Sequence, residues 1–357
     1  MINTNYIEEF HHQSLLKIFK NVTTSYKYLF LKSLLYKLKQ DNFRSNEYSI
    51  SILSNIMLAY AWYPIKYFKI SLGSQDQINK IIDEIKIPNN SAKNFEKIVL
   101  AIENQIDHKK IPNILRYVPY RLLTTFYEID LQGIPDAKRN DALDKISTKT
   151  FDDIKPIYRF INKNNILIHP EWLEYFKNNY GIVEAWLSWE WLCYLQKNNP
   201  NALSLSQKLF RPNQRKSLGA DRKVWSYFIA NNKVQCIYTN KQLKADDFVL
   251  DHYLPWSFVT HNQAWNLIPV SKKANEEKSD NLPPENTIKK FIDLQYRFLN
   301  SLIKSQKNTK YLDNYESHLK INEETLSNPK TFESKYYEVI NPLLAQAKNM
   351  GFKIFKT

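Results

Sequence analysis

Apolar residues recur near helical spacing through the first third of the chain. Leu15, Leu16, Ile18 and Phe19 are followed by Tyr28, Leu29, Leu31, Leu34, Leu35 and Leu38, a period that turns one helix face toward a core. A second apolar run covers Ile50–Ile70, and Ile98, Leu100, Ile102 and Ile106 predict a further helix. Pro112 and Pro119 are expected to bracket helix starts within 111–129. Residues 13–130 therefore read as a helical layer whose aromatic-rich stripes are core, and nothing in them carries recognisable chemistry. At Pro156 the pattern changes: Ile157–Ile161 and Ile166–Pro170 flank Asn162-Lys163-Asn164-Asn165, which predicts a short hairpin. Helical spacing returns over Glu171–Gln196, with Trp172, Trp186, Trp189 and Trp191 expected to pack between domains, until Asn198-Asn199-Pro200 ends it. Downstream the pattern predicts a helix over Asp221–Asn231, a strand over Val249–His252 and a helix over Ser271–Ser279. Further helices follow Pro283-Pro284 through Lys304 and cover Tyr336–Met350.

Composition narrows the picture. A length of 357 residues exceeds what one core usually serves, and 43% hydrophobic with 24% charged residues belongs to a folded chain. With 5 glycines and no GxGxxG or GxxxxGK[ST] string, phosphate-cradling nucleotide loops are excluded. Cys193 and Cys236 are too few for a disulfide framework or a four-thiolate zinc site. The first ten residues lack the basic-then-apolar order of a signal peptide, and Ser54, Asn55 and Pro64 interrupt the most apolar stretch. A cytoplasmic protein with no membrane partner is expected. The net charge of +14 could reflect codon bias, since only nine of the fifty basic residues are Arg. Its distribution is more telling: residues 201–250 hold nine basic against three acidic side chains. Lys208, Arg211, Arg215, Lys216, Arg222 and Lys223 form a cluster expected to meet nucleic-acid phosphates.

The chemistry lies in Val234–Pro283. A strand over Val249–His252 would end in the acid–imidazole pair Asp251-His252. Asn266 follows fourteen residues later and Asn275 nine beyond that, inside the helix over Ser271–Ser279. Lys278 lies one turn past Asn275, on the same face. A hairpin followed by a helix would bring Asp251, His252 and Asn275 together.

The ordered set Asp251-His252, Pro255, Asn266, Asn275, Lys278-Ser279 and Pro283 resembles the HNH (ββα-metal) endonucleases over about fifty residues. The pattern is found in stand-alone bacterial HNH proteins and in the HNH domain of RNA-guided CRISPR nucleases. The resemblance implies that Asp251 and Asn275 hold one divalent cation, Mg²⁺ with Mn²⁺ as a substitute. It implies that His252 is the general base, and that Asn266 fixes the loop that aims it. Lys278 would support the site or contact a phosphate. Two oxygen ligands, with water and phosphate completing the shell, suit Mg²⁺ bound at millimolar concentration, and an imidazole with a pKa of about 6.5 is largely neutral at pH 7. Many HNH proteins also carry two CxxC pairs. Here those positions are Cys236 to Thr239 and Ser271 to Ala274, so no structural zinc is expected. Packing of Val249, Tyr253, Trp256, Phe258, Trp265 and Ile268 is expected to stabilise the module instead.

The expected fold is mainly α with a small embedded α+β module. Its divisions are a helical domain over 1–150, a hairpin and Trp-rich connector over 151–204, the nuclease module with its basic lead-in over 205–290, and C-terminal helices over 291–357. DNA hydrolysis leaving 5′-phosphate and 3′-hydroxyl ends is what the resemblance implies, and RNA stays open as a substrate. The basic lead-in resembles stand-alone HNH proteins of phage defence, so a protein partner or activator is expected, and self-association is compatible with the chain. The competing reading is a nucleic-acid-binding or scaffold protein that keeps the HNH-like fold without activity. Glu276 and Glu277 read as solvated helix residues, and His11, His12, His108, His169, His261 and His318 as incidental.

Overall fold

The computed structural model describes residues 13, 15–20, 22–88, 94–106, 113–209, 217–305 and 309–356, with 113–116 and 309–310 described for their backbone alone. The chain parts into two compact units, Met1–Arg211 and Pro212–Thr357. Among the described residues, helices dominate both units, and each holds one small antiparallel sheet.

The first unit is built on α1 (Tyr26–Gln40) and α2 (Ile50–Trp62), which pack along each other. Both are buried along much of their surface; α2 has few polar positions, whereas α1 buries its leucine-rich stripe and keeps Lys37, Lys39 and Gln40 toward its end. The apolar run past Trp62 goes on as a wider turn, Tyr63–Tyr67, where Pro64 has no N–H to give the ladder. Shorter helices follow: α3 (Ile78–Glu84), α4 (Phe95–Glu103), α5 (Asn113–Leu123) and α6 (Asp136–Lys149). Pro112 lies outside the described residues. Pro119 does not open a helix but sits inside α5, where its carbonyl accepts the buried Tyr158 hydroxyl at 2.6 Å.

The expected hairpin forms from β2 (Tyr158–Asn162) and β3 (Asn165–Ile168), and β1 (Glu47–Ser49) pairs with the other edge of β3. Residues 151–204 are thereby woven into the first unit. The Trp-rich helix α7 (Pro170–Asn198) starts where His169 Nδ1 accepts the Glu171 amide and Pro170 presets the first turn. Trp172 and Trp191 are buried in this unit's own aromatic core, with Trp191 stacked on Tyr194. Trp189 is 63% exposed.

The second unit opens with α8 (Gly219–Asn231) and leads to β4 (Val249–His252), which pairs with β5 (Leu267–Val270); α9 (Lys272–Lys278) follows directly. This is the expected ββα segment. Around it pack α10 (Ile288–Lys304), α11 (Thr309–Leu319) and α12 (Pro329–Asn349). The inward stripe of α10 carries Phe291, Gln295, Phe298 and Leu302. Tyr253 stacks on Phe291 with ring centroids 3.8 Å apart, and Gln295 Nε2 donates to the Leu267 carbonyl at 2.7 Å. The last residues return to the module, where Leu282 N donates to Lys353 O and Phe355 N to Leu282 O. Residues 291–357 thus form part of the same unit as the ββα segment. Of the six residues expected to pack this module, Tyr253, Phe258, Trp265 and Ile268 are buried, while Val249 and Trp256 are half-buried. Among the described residues, no helix is long and apolar enough to cross a membrane.

Candidate active site

Asp251 and His252 are the last two residues of β4, and the ladder sets them opposite Ile268 and Leu267. Successive side chains of a strand point to opposite faces, yet both residues line the same cleft at the strand's end. Its volume is about 340 Å³, and Asn275, Glu276 and Asp280 border it from α9 and the turn beyond. The sequence reading placed Asp251, His252 and Asn275 together, and the structure gathers all three.

Asn266 is fully buried and does not reach the cleft. Its Oδ1 accepts the Leu254 amide at 2.8 Å, its Nδ2 donates to the Leu254 carbonyl at 3.0 Å, and its own carbonyl accepts the Tyr253 amide at 2.8 Å. Three hydrogen bonds thus tie the two ends of the 253–266 loop into one rigid stem. Asn is suited to this because one planar amide supplies both a donor and an acceptor.

That loop returns a residue the sequence reading missed. Asn262 Oδ1 lies 3.0 Å from His252 Nε2. With the amide oxygen as acceptor, Nε2 carries the proton and the imidazole lone pair lies on Nδ1. Nothing in the motif marks Asn262, because its contact depends on how a ten-residue loop closes. Tyr238 was missed for a similar reason: its hydroxyl donates to Asp251 Oδ2 at 3.2 Å from a turn that the expected chemistry had left empty.

Lys278 is fully buried, which favours its reading as a support of the site over that as a phosphate contact. Its Nζ lies 3.1 and 3.3 Å from the two Asp251 carboxylate oxygens and donates to the His252 carbonyl at 2.9 Å. A side chain from α9 therefore holds the end of β4 at two successive residues. Burial pushes the Asp251 carboxyl above its ordinary value; the Lys278 ammonium and the Tyr238 hydroxyl pull against that rise.

The lost zinc positions still converge. Cys236 Sγ lies 3.9 Å from Ser271 Oγ, and Ser271 also caps α9 through the Ala274 amide. Burial opposes ionisation of Cys236. The Thr239 hydroxyl and backbone amides of Ser271, Thr239 and Tyr238 outweigh it, leaving the thiol below its usual value. One thiol among hydroxyls is not a zinc site.

A divalent cation fits the cleft differently. Among the described residues there is no cluster of three or more His, Cys, Asp or Glu side chains able to hold a metal. The oxygen donors of the cleft are instead the Asp251 carboxylate and the Asn275 amide, and the Asn275 side chain has no hydrogen-bond partner among the described residues. A hard cation that keeps several waters and takes substrate oxygens suits so sparse a set.

The basic cluster fares unevenly. Lys208 is fully buried in a single turn, Leu205–Lys208, which puts it out of reach of a phosphate, against its reading as a nucleic-acid contact; burial lowers its ammonium to about 8. Arg222 is exposed, but its guanidinium lies over the Phe248 ring and donates to the carbonyls of Asp246 and Phe248. Lys223 is exposed on α8. Arg211, Arg215 and Lys216 lie outside the described residues, as do His11, His12 and His108.

Comparison with known proteins agrees with this geometry. Residues 236–284 match the family model described as HNH endonuclease, so this segment carries an HNH endonuclease domain. Over 73 residues the chain is 32% identical to the CRISPR-associated endonuclease Cas9 of Listeria innocua. The stretch is 20% of this chain and 5% of that relative's length. No solved structure matches.

Proposed function

We propose that the chain is a metal-dependent endonuclease that hydrolyses DNA phosphodiester bonds in the cleft at the end of β4. The observation carrying this reading is the convergence of Asp251, His252 and Asn275 on one cleft, with the His252 ring held by Asn262. Mg²⁺, or Mn²⁺ in its place, would be held by Asp251 and Asn275 and would supply charge stabilisation for the phosphate and the departing oxygen. His252 takes a proton from the attacking water at Nδ1, the nitrogen that carries no hydrogen in the tautomer set by the hydrogen bond from Nε2 to Asn262. Asn266 acts through the loop: it holds Leu254, two residues past the base, and so fixes where the imidazole sits. Lys278 and Tyr238 orient the Asp251 carboxylate from within the module. Phosphate binding outside the cleft falls to Lys223 and Arg222, with Arg211, Arg215 and Lys216 as further candidates. A role as effector of an anti-phage system, under control of an activator, is the biological setting that fits a basic nuclease.

One observation favours the competing reading of an inactive HNH-like scaffold: both Asp251 oxygens are already engaged by Lys278 and Tyr238. The deciding experiment is supercoiled plasmid with EDTA, Mg²⁺ or Mn²⁺, using wild type and His252→Ala. Cutting that needs metal and falls about 100- to 10,000-fold in the variant supports the enzyme. Equal cutting by both proteins would reject His252 as the base. Mg²⁺ that binds wild type without any cutting of DNA or RNA would favour the scaffold.

A further inference from the structure

The first unit contains a cleft of about 480 Å³ that the nuclease reading does not use. Five cations line it (Lys17, Lys20, Lys27, Arg121 and Arg139) against a single carboxylate, Glu128. They come from widely separated parts of the chain: the segment before α1, α1 itself, α5 and α6. Their charge is only partly answered. Arg121 forms a two-pronged pair with Asp136 at 2.8 and 2.9 Å, and Arg139 shares that same exposed carboxylate at 3.8 Å. Lys17 and Lys20 have no side-chain partner among the described residues, and Lys27 Nζ is spent on a neutral carbonyl, that of Ile18, at 3.0 Å.

Like charges gathered in a concavity repel one another, and each loses hydration as it is buried. Lys27 shows both effects: burial first and the nearby Arg121 second lower its affinity for a proton, against a smaller opposing pull from Glu128. An anion of two or more charges would relieve that repulsion. The walls also offer the hydroxyls of Thr23 and Thr24, which have no partner among the described residues, and the rings of Tyr26 and Tyr117. The volume falls in the range of small-ligand sites, roughly 300–1,000 Å³. Cations that close round a hollow suit a compact polyanion better than the continuous backbone of a duplex.

We propose that this cleft binds a small polyphosphorylated ligand, whether a free phosphate chain or a nucleotide. The test uses the full chain, with tripolyphosphate and ATP as probes in EDTA, followed by calorimetry. Both probes share the phosphate chain. Tighter binding of ATP assigns the tyrosine-lined wall to a nucleotide base, and equal binding assigns the site to the phosphate chain alone; either supports the proposal. Lys17→Gln/Lys20→Gln/Lys27→Gln is expected to weaken tripolyphosphate at least tenfold. Lys138→Gln/Lys145→Gln/Lys149→Gln removes the same charge from the exposed face of α6 and is expected to change it less than twofold. Because the triple variant touches the partly buried Lys27, Thr23→Glu serves as a second probe. It adds a carboxylate at an exposed rim position and is also expected to weaken binding about tenfold. No binding of either probe by the full chain overturns the proposal, as does an equal loss in the α6 variant. So does a loss of duplex-DNA affinity that matches the loss of tripolyphosphate, since the cleft would then be a DNA surface.

Discussion

Two buried lysines, Lys32 in the first unit and Lys278 in the second, are held on different terms. Lys32 in α1 meets one oxygen of Glu184 at 3.4 Å and lies over the Tyr60 ring; that carboxylate is 42% exposed and burial lowers the ammonium to about 8. Lys278 is enclosed with its partner and touches both Asp251 oxygens and the His252 carbonyl. Lys32 is a cation at the edge of a helical core, reaching for the nearest negative charge. Lys278 closes a network whose other members line the cleft. A buried charge points to chemistry when its partners share one site, and to packing when its partner is half in water.

Methionine at each position sharpens this contrast and should produce the largest effect on stability. Lys278→Met leaves Asp251 enclosed without a cation, which costs about 3–5 kcal/mol. Lys32→Met removes the desolvation cost of one ammonium and leaves Glu184 able to hydrate, so stability should change by less than about 1 kcal/mol. Urea unfolding with and without Mg²⁺ reads both. Mg²⁺ should recover part of the loss in Lys278→Met and do nothing for Lys32→Met, because only the former frees carboxylate oxygens at the cleft. Equal losses in the two variants would break the comparison.

Asn266→Ala comes next. It orphans the Leu254 amide and carbonyl in a buried stem, at about 1–3 kcal/mol for each unsatisfied group. Cutting should fall about 10- to 100-fold through displacement of His252, while Mg²⁺ affinity, read by calorimetry, stays within about twofold of wild type. A fall in Mg²⁺ affinity as large as the fall in rate would place Asn266 at the metal rather than at the loop.

What the sequence made legible follows the distance over which each feature is assembled. The ββα segment comes from about thirty consecutive residues, and Asp251, His252, Asn266 and Asn275 could be read there because their order and spacing resemble those of the HNH endonucleases. The helical stripes were legible for the same reason, from Tyr28 to Leu38 and again from Phe291 to Leu302. Asn262 and Tyr238 were not, since a loop closure and a turn bring them in and no periodicity records either event. Lys208 was read as a surface cation, and Lys278 was left between support of the site and phosphate contact, because sequence shows charge but not burial. The cleft of Lys17, Lys27, Arg121 and Arg139 was invisible: its residues are spread over more than a hundred positions inside stretches that read as plain helix.

The smallest expected effect tests where DNA meets the chain. Lys223 is exposed on α8, and Lys208 is enclosed, although the two sit in one basic run of the sequence. Lys223→Gln should weaken duplex binding several-fold at low salt and reduce the slope of log affinity against log salt by about 1, the signature of one lost phosphate contact. Lys208→Gln should leave that slope unchanged, because an ammonium out of reach of solvent releases no counterion when DNA binds. Any change it causes should appear in the unfolding midpoint instead. Arg222→Gln lies between them. Its guanidinium already serves the Asp246 and Phe248 carbonyls, so a fall in slope would mean that it meets phosphate with the hydrogens those carbonyls leave free. An unchanged slope would make it a strut of the turn before β4. If Lys208→Gln lowers the slope as much as Lys223→Gln does, the buried lysine becomes exposed in the DNA-bound protein, and burial in the free chain would not tell structural cations from phosphate-binding ones.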